Sequence, residues 1–138
     1  MKSIIKTSAM MLTIAFTLAL SPLSLAQSGP VYELRTYTST PGNLDKLLAR
    51  FRDHTMRIFE KHGMSNIGYW VPVDPEKSGN TLIYILKHDS MEAATASWRA
   101  FGSDPEWAQV AEASNRDGQI LQSVVREYMT ATDFSQMQ

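Results

Sequence analysis

The stretch VYELRTYTSTPGNLDKLLARF, residues 31–51, contains a strand, a turn and the start of a helix in immediate succession. Val31–Thr38 alternates around residues that favour β-structure, and STPGN, residues 39–43, supplies turn and helix-start chemistry. A mainly apolar stripe then recurs at helical spacing. It consists of Leu44, Leu47, Leu48, Phe51, Thr55, Ile58, Phe59 and His62, and Gly63 is placed to end the helix.

The rest of the chain predicts three more strands and two more helices. Met64–Val73 and Thr81–Lys87 are rich in aromatic and β-branched residues, which favours a pair of strands joined by a polar loop. Helices are predicted to begin at Asp89 or Ser90 and at Asp104-Pro105. The last segment, SVVREYMTAT at 123–132, suits either a helix or a strand, and we predict a strand. The order β-α-β-β-α-α-β predicts an α+β, ferredoxin-like split βαβ fold with an antiparallel sheet.

The N-terminus has the features of a secretory signal peptide. Lys2 and Lys6 precede an apolar run, Ala9–Leu20, and small residues lead up to Ala26. The alternative, a membrane anchor, is disfavoured because the run is shorter than the roughly 20 residues of a spanning helix. We therefore predict a signal peptide at 1–26 and one domain at 27–138. The mature chain would be periplasmic or secreted, with no membrane association after cleavage.

Composition excludes several classes of function. The chain has no cysteine, which rules out disulfides, thiol catalysis and thiolate metal sites. Because two of the 13 basic residues lie in the leader, the mature chain carries 11 against 14 acidic residues, a formal charge of −3. Nothing in this balance indicates nucleic-acid binding.

The first strand carries charged residues on one of its two faces. Alternation places Tyr32, Leu34 and Thr36 on one face, and Glu33, Arg35 and Tyr37 with Val31 on the other. We expect the helices to cover the Tyr32 set. The strand at Thr81–Lys87 is apolar on both faces, so the second face also needs a cover. A second copy is the economical cover, which predicts a homodimer whose two sheets close into a barrel, with Glu33, Arg35 and Tyr37 inside it. There we expect Glu33 and Arg35 to be partly buried and paired with each other, or with Arg126 or Glu127 of the last strand.

Short motifs spread over the mature chain resemble the NIPSNAP family. They are YELRTY at 32–37, PG at 41–42, HG at 62–63, GYW at 68–70, Trp98, Phe101, DPEW at 104–107 and TDFS at 132–135. The resemblance implies a dimeric α/β-barrel of ferredoxin-like subunits. Its superfamily includes cofactor-independent monooxygenases, lactone isomerases and haem-degrading enzymes, while the better-known NIPSNAP proteins are mitochondrial interaction proteins. The leader departs from that mitochondrial pattern.

Two hypotheses for function follow. The first is a secreted or periplasmic homodimeric module that binds a small apolar or aromatic molecule or a partner. The alternative is a cofactor-independent monooxygenase or isomerase acting on such a molecule, with His54, Arg35 and Tyr84 as catalytic candidates. The predicted ligand-binding residues are Glu33, Arg35, Tyr37, His54, Trp70 and Tyr84.

Each candidate has an ordinary structural explanation as well. His54 lies at the edge of the helical stripe beside Arg50, Arg57 and Lys61, where a basic cluster favours a neutral imidazole suited to general-base chemistry or ligand binding. It could equally be a half-buried structural histidine. The tryptophans and neighbouring aromatics could form a ligand cage, although aromatics at such spacing are more often core. The three histidines lack clustered carboxylates at ligand spacing, so we predict no metal site and no cofactor.

Overall fold

The computed structural model describes residues 29–137. The predicted signal peptide, residues 1–26, lies outside these residues. The strands are β1 Val31–Ser39, β2 Ser65–Trp70, β3 Thr81–His88 and β4 Leu121–Met129. The helices are α1 Leu44–Arg50, a π-helical segment Phe51–Thr55, α2 Met56–Lys61, α3 Met91–Gly102 and α4 Pro105–Ser114.

The four strands form one antiparallel sheet in the order β2-β3-β1-β4. This order is that of the ferredoxin-like fold, so the predicted fold class is confirmed. The ambiguous last segment is a strand, and it pairs with β1 along almost its whole length. β1 is therefore central, with a strand on each side.

Local sequence signals define where the helices begin and end. Ser90 is the N-cap of α3, and its hydroxyl accepts a hydrogen bond from the Ala93 N–H at 3.0 Å. Asp104 caps α4 in the same way, with Pro105 at the first helical position. Gly63 follows α2 with a φ of +76°, a left-handed conformation that glycine adopts without a Cβ penalty. The three predicted starts and stops are confirmed.

The two faces of β1 are the reverse of those predicted. The register pairs Arg35 with Tyr84 and Glu33 with Leu86, and directly paired residues share a face. Tyr84 and Leu86 are fully buried in the core beneath the helices. Glu33, Arg35 and Tyr37 therefore point toward the helices, and the prediction that they lie on the second face is wrong. The strand alternation only defines two sets of side chains. Pairing with β3, whose larger side chains face inward, decides which set the helices cover.

Aromatic side chains fill the space between sheet and helices. Tyr84 lies at the centre and stacks on Tyr69 with ring centroids 5.1 Å apart. The Tyr84 ring also contacts Phe51, with ring centroids 5.1 Å apart, and Phe59, with centroids 6.1 Å apart. Both halves of the first helical stretch, residues 44–61, therefore contact β3. These contacts account for the apolar stripe from Leu44 to His62.

The opposite, outer face of the sheet is mainly apolar. In the described part of the chain no helix covers it, and none is long and apolar enough to cross a membrane. Val125 is 61% exposed and Trp70 51% exposed. A Cβ at position 68 would come within 2.5 Å of the Trp70 ring, so Gly68 allows this ring to lie across β2. The outer face carries the apolar or weakly polar residues Tyr32, Leu34, Thr36, Trp70, Ile83, Ile85, Val125 and Met129, together with the charged residues Lys87 and Glu127.

Candidate functional site

Glu33 is the centre of a buried polar cluster between β1, β3 and α3. Its Oε1 accepts a hydrogen bond from Arg35 Nη1 at 2.8 Å, and its Oε2 accepts one from Trp98 Nε1 at 2.6 Å. His88 Nε2 lies 2.8 Å from the same Oε2. Glu33 and His88 are fully buried, and Arg35 nearly so. The buried pairing of Glu33 with Arg35 is confirmed, whereas the second partners are His88 and Trp98.

The surroundings of Glu33 favour its ionised form. Burial by itself would raise the pKa of this carboxyl, but the hydrogen bonds from His88 and Trp98 and the charge of Arg35 outweigh burial and lower the pKa below its ordinary value. The Arg35 guanidinium also lies 4.0 Å from the centroid of the Trp98 ring, in cation–π contact. Glu33 thus joins the central strand to β3 and α3.

The alternation of side chains along β3 indicates on which face of the sheet His88 lies. Leu82, Tyr84, Leu86 and His88 share one face, and Val31 pairs with His88, which places the imidazole diagonally across from Glu33. The predicted strand, Thr81–Lys87, ended one residue before His88. The partners named instead, Arg126 and Glu127, form no ion pair with Glu33 or Arg35 in the described residues, because Arg126 lies opposite Arg35 and Glu127 faces outward.

Tyr37 and Tyr84 belong to the packed core. Tyr84 is fully buried, and its ring lies 5.2 Å from that of Tyr37. Burial raises the pKa of Tyr84 well above its ordinary value. Within residues 29–137 its hydroxyl has no hydrogen-bond partner. The closed aromatic packing around Tyr84 separates it from any cleft on the surface.

A cleft lies between the first helical stretch and α4. Its volume is about 430 Å³, within the range typical of small-molecule sites. The π-helical segment contributes to one wall, and such segments occur frequently at functional sites. The lining residues are Lys46, Ala49, Arg50, Asp53 and His54 on one side, and Gln109, Val110, Ala113, Ser114 and Asp117 on the other.

Arg50 and His54 are two basic groups that line this cleft. They lie four residues apart on the same helical surface, as the sequence indicated. His54 is exposed, whereas Arg50 is buried and donates from Nη1 to Ser114 Oγ at 3.2 Å. The sequence named Arg50 only as a neighbour of His54. Its burial depends on α4, which lies 64 residues away at the hydrogen bond to Ser114 and could not be positioned from local pattern.

The other two basic neighbours predicted for His54 are engaged elsewhere. Arg57 pairs with Glu106, and Lys61 Nζ lies 2.7 Å from Asp104 Oδ2. His62 Nε2 lies 2.6 Å from the same oxygen. Hydrogen bonds from Lys61 and His62 lower the pKa of Asp104 far below its usual range. This network fastens the end of α2 to the start of α4 and so holds the cleft's two walls together.

The predicted site residues therefore occupy three separate places. Glu33, Arg35, Tyr37 and Tyr84 lie under the helices, His54 lines the cleft, and Trp70 lies on the outer face. They do not converge. Among residues 29–137 no group of histidine and acidic side chains is arranged to hold a metal ion.

Comparison with known proteins identifies the family. The NIPSNAP family profile matches residues 32–136. A NIPSNAP family protein of unknown function from Agrobacterium tumefaciens superposes with a TM-score of 0.69 at 20% identity, covering 81% of this chain and 96% of that one. A NIPSNAP-like domain protein from Burkholderia xenovorans gives 0.67 at 16% identity, covering 78% and 90%. Comparison with curated protein sequences gave no match.

One enzyme shares the fold at greater distance. SnoaB, a cofactor-independent oxygenase from Streptomyces nogalater, superposes with a TM-score of 0.52 at 14% identity, covering 80% of this chain and 99% of that one. At such identity the likeness concerns the fold alone. The profile match spans most of the sequence, and the order of strands and helices agrees with it. The chain belongs to the NIPSNAP family.

Proposed function

We propose that the mature chain is an exported, homodimeric NIPSNAP protein that binds a small molecule in the cleft between the first helical stretch and α4. The observation that carries this proposal is the cleft itself. It combines a volume of about 430 Å³ with apolar wall residues Ala49, Val110 and Ala113 and a few polar groups, among them His54. Binding sites for small molecules characteristically have this composition. The export part rests on the leader sequence at residues 1–26.

Filling the cleft should abolish binding. Ala113→Trp places an indole in the cleft from the exposed side of α4, so the fold should tolerate it while the ligand is displaced. The measurement is native mass spectrometry of the protein purified from its own source, which detects a retained small molecule. The matched control is Ala108→Trp, because Ala108 is also exposed on α4 but does not line the cleft. Equal ligand retention in both variants would place the ligand elsewhere.

The outer face of the sheet supports the homodimer. Apolar side chains lie on this face of all four strands, and the most exposed are Trp70 on the edge strand β2 and Val125 on the edge strand β4. Contiguous exposed apolar surface of this kind commonly marks an interface. The same face of a second copy is complementary under two-fold symmetry. Because Glu33 and Arg35 face the helices, the interface would be mainly apolar, with Lys87 and Glu127 as its charged residues instead of the predicted Glu33 and Arg35.

We expect the mature chain, beginning at Gln27, to be dimeric in light scattering at micromolar concentration, and Val125→Glu to make it monomeric. The introduced carboxylate would be desolvated within a mainly apolar interface. Val124→Glu is the matched control, since Val124 is 40% exposed on the helix-facing side of the same strand. A wild-type monomer, or two variants with the same mass as the wild type, would contradict the sheet-to-sheet dimer.

The enzymatic alternative is supported by one observation, the position of His54 in the cleft. Arg35 and Tyr84, its other proposed catalytic residues, do not line the cleft and lie in the buried layer beneath the helices. A cofactor-independent oxygenase or isomerase would then have to act through His54 and groups not predicted from sequence. Recovery of the added ligand, chemically unchanged after incubation with the protein under air, distinguishes binding from turnover.

A further inference from the structure

Arg50 is a buried cation at the inner end of the cleft. It is 6% exposed, and its guanidinium carbon lies 5.3 Å from the centroid of the Trp107 ring. Its hydrogen bond goes to the neutral hydroxyl of Ser114, and its Nε is buried with no partner. In the described part of the chain no carboxylate lies within ion-pair distance of Arg50. A buried guanidinium normally has a carboxylate counterion or several hydrogen bonds.

The chain provides its own comparison in Arg35. That arginine is buried to a similar degree, 8% exposed, but it is neutralised by Glu33 at 2.8 Å. Both guanidinium groups also rest against a tryptophan ring. The two arginines thus resemble each other in burial and in their contact with a tryptophan ring. They differ in that only Arg35 has a carboxylate partner. Burial lowers the pKa of Arg50, which is the response of a cation without a counterion.

The remaining charges of the cleft are at its rim. Lys46 and Asp117 lie 3.9 Å apart with side chains 55% and 82% exposed. Asp53 and His54 are also exposed. Water and salt screen such groups, so their influence at the inner end is weaker than that of the buried guanidinium. The negative charge of Asp53 would nevertheless repel an anionic ligand that approaches the cleft.

We infer that the cleft binds a small organic carboxylate, with the carboxyl group on Arg50 and an apolar body against Ala49, Val110 and Ala113; this inference rests on the proposed function. The ligand's carboxylate would be the counterion that Arg50 lacks among the described residues. Charge-assisted hydrogen bonds to a guanidinium are among the stronger polar contacts in proteins. Walls of alanine and valine match the rest of such a ligand.

Three ligands of nearly equal size and different charge test the inference: 2-naphthoate, 2-naphthalenemethanol and 2-naphthylmethylamine. Isothermal titration calorimetry of the mature wild-type chain should show the carboxylate binding roughly tenfold or more tightly than the alcohol, the ratio expected for a hydrogen-bonded charged pair. The amine should bind most weakly. Preference for the amine would instead assign recognition to Asp53 and Asp117 and overturn the inference.

Two variants should move the affinity ratio in opposite directions. Arg50→Met keeps an apolar stem against Trp107 and should reduce the carboxylate-to-alcohol affinity ratio to about one. Asp53→Asn should raise the carboxylate affinity and leave the alcohol unaffected. Arg52→Met is the charge-matched control, because Arg52 is exposed on the same segment and lies outside the cleft. If Arg50→Met does not fold, Asp53→Asn still provides the test, because it alters an exposed side chain.

The inference and the proposed function fail in different ways. Equal affinity for the carboxylate and the alcohol, both lost in Ala113→Trp, would overturn the carboxylate assignment and leave the small-molecule site intact. No binding of any of the three ligands at millimolar concentration would overturn both. A carboxylate preference that Arg52→Met reduces as much as Arg50→Met would reflect net charge and would likewise overturn the role of Arg50.

Discussion

Replacing Glu33 by leucine should lower the free energy of unfolding of the chain that begins at Gln27 by about 3–5 kcal/mol, the usual cost of removing one partner of a buried ion pair. The substitution leaves the Arg35 guanidinium buried without a counterion and removes the acceptor of the Trp98 indole N–H. It also removes the oxygen that faces His88. Urea unfolding at one fixed protein concentration gives the measurement, since the proposed dimer would make stability concentration-dependent.

A double-mutant cycle separates the ion pair from the rest of the cluster. Glu33→Leu combined with Arg35→Met should be less destabilising than the sum of the two single changes, because the second change removes the stranded cation. Recovery should be partial, since Trp98 and His88 still lack their acceptor. Glu112→Leu, at an exposed acid on α4, is the control and should change stability by less than about 0.5 kcal/mol. Strictly additive losses would show that Glu33 and Arg35 do not act as a pair.

The pH dependence of the same variant provides an independent check. The folded-state pKa of Glu33 is lowered from its ordinary value of 4.5, so its contribution is fully present above that value. This contribution is lost as the pH falls through the folded-state pKa of Glu33, because the carboxyl has a higher pKa in the unfolded chain and binds the proton more readily there. The stability difference between wild type and Glu33→Leu should therefore be constant near neutral pH and shrink in acid. A difference that grows in acid would contradict the ionised state.

The fold was predictable because its signals are local. Turn residues after β1, the apolar stripe from Leu44 to His62, and the caps at Ser90 and Asp104 each depend on neighbours within a few positions. These signals determine the order of strands and helices, and that order leaves few topologies. The π-helical turn at Phe51–Thr55 was not predicted, because Phe51 and Thr55 continue the stripe as an α-helix would.

The site was less predictable because its contacts are distant in sequence. Glu33 contacts Trp98, which is 65 positions away in sequence, and His88, which is 55 positions away. No local pattern specifies the face of β1 on which these contacts form. Alternation correctly grouped Glu33 with Arg35, and register with β3 then reversed the expected face. Arg50 was overlooked for the same reason, since its isolation from carboxylates is a property of the folded neighbourhood. Predictions from local sequence are expected to fail most often at functional or strained positions, and the inward-facing Glu33 and Arg35 fit this expectation.

Trp98 is the second residue whose loss should be severe. We expect Trp98→Ala to cost about 3–5 kcal/mol, as truncation of a large packed aromatic side chain does. The ring packs on Phe59 at 5.4 Å and Phe101 at 5.5 Å and covers the Arg35 guanidinium. Its indole N–H also supplies one of the hydrogen bonds that keep Glu33 ionised. Equilibrium unfolding in urea measures the change.

Two further substitutions divide this effect into packing and hydrogen bonding. Trp98→Phe keeps an aromatic ring on Phe101 but removes the donor to Glu33, so it should cost about 1–3 kcal/mol, the penalty of leaving a buried polar group without its partner. Trp107→Ala should cost less than Trp98→Ala, because Trp107 packs on Phe101 at 4.5 Å but donates no hydrogen bond within the described residues. If Trp98→Phe is as stable as wild type, the indole contributes through packing alone. The ionised state of Glu33 must then depend on Arg35 and His88, and the effect of Arg35→Met should be correspondingly larger.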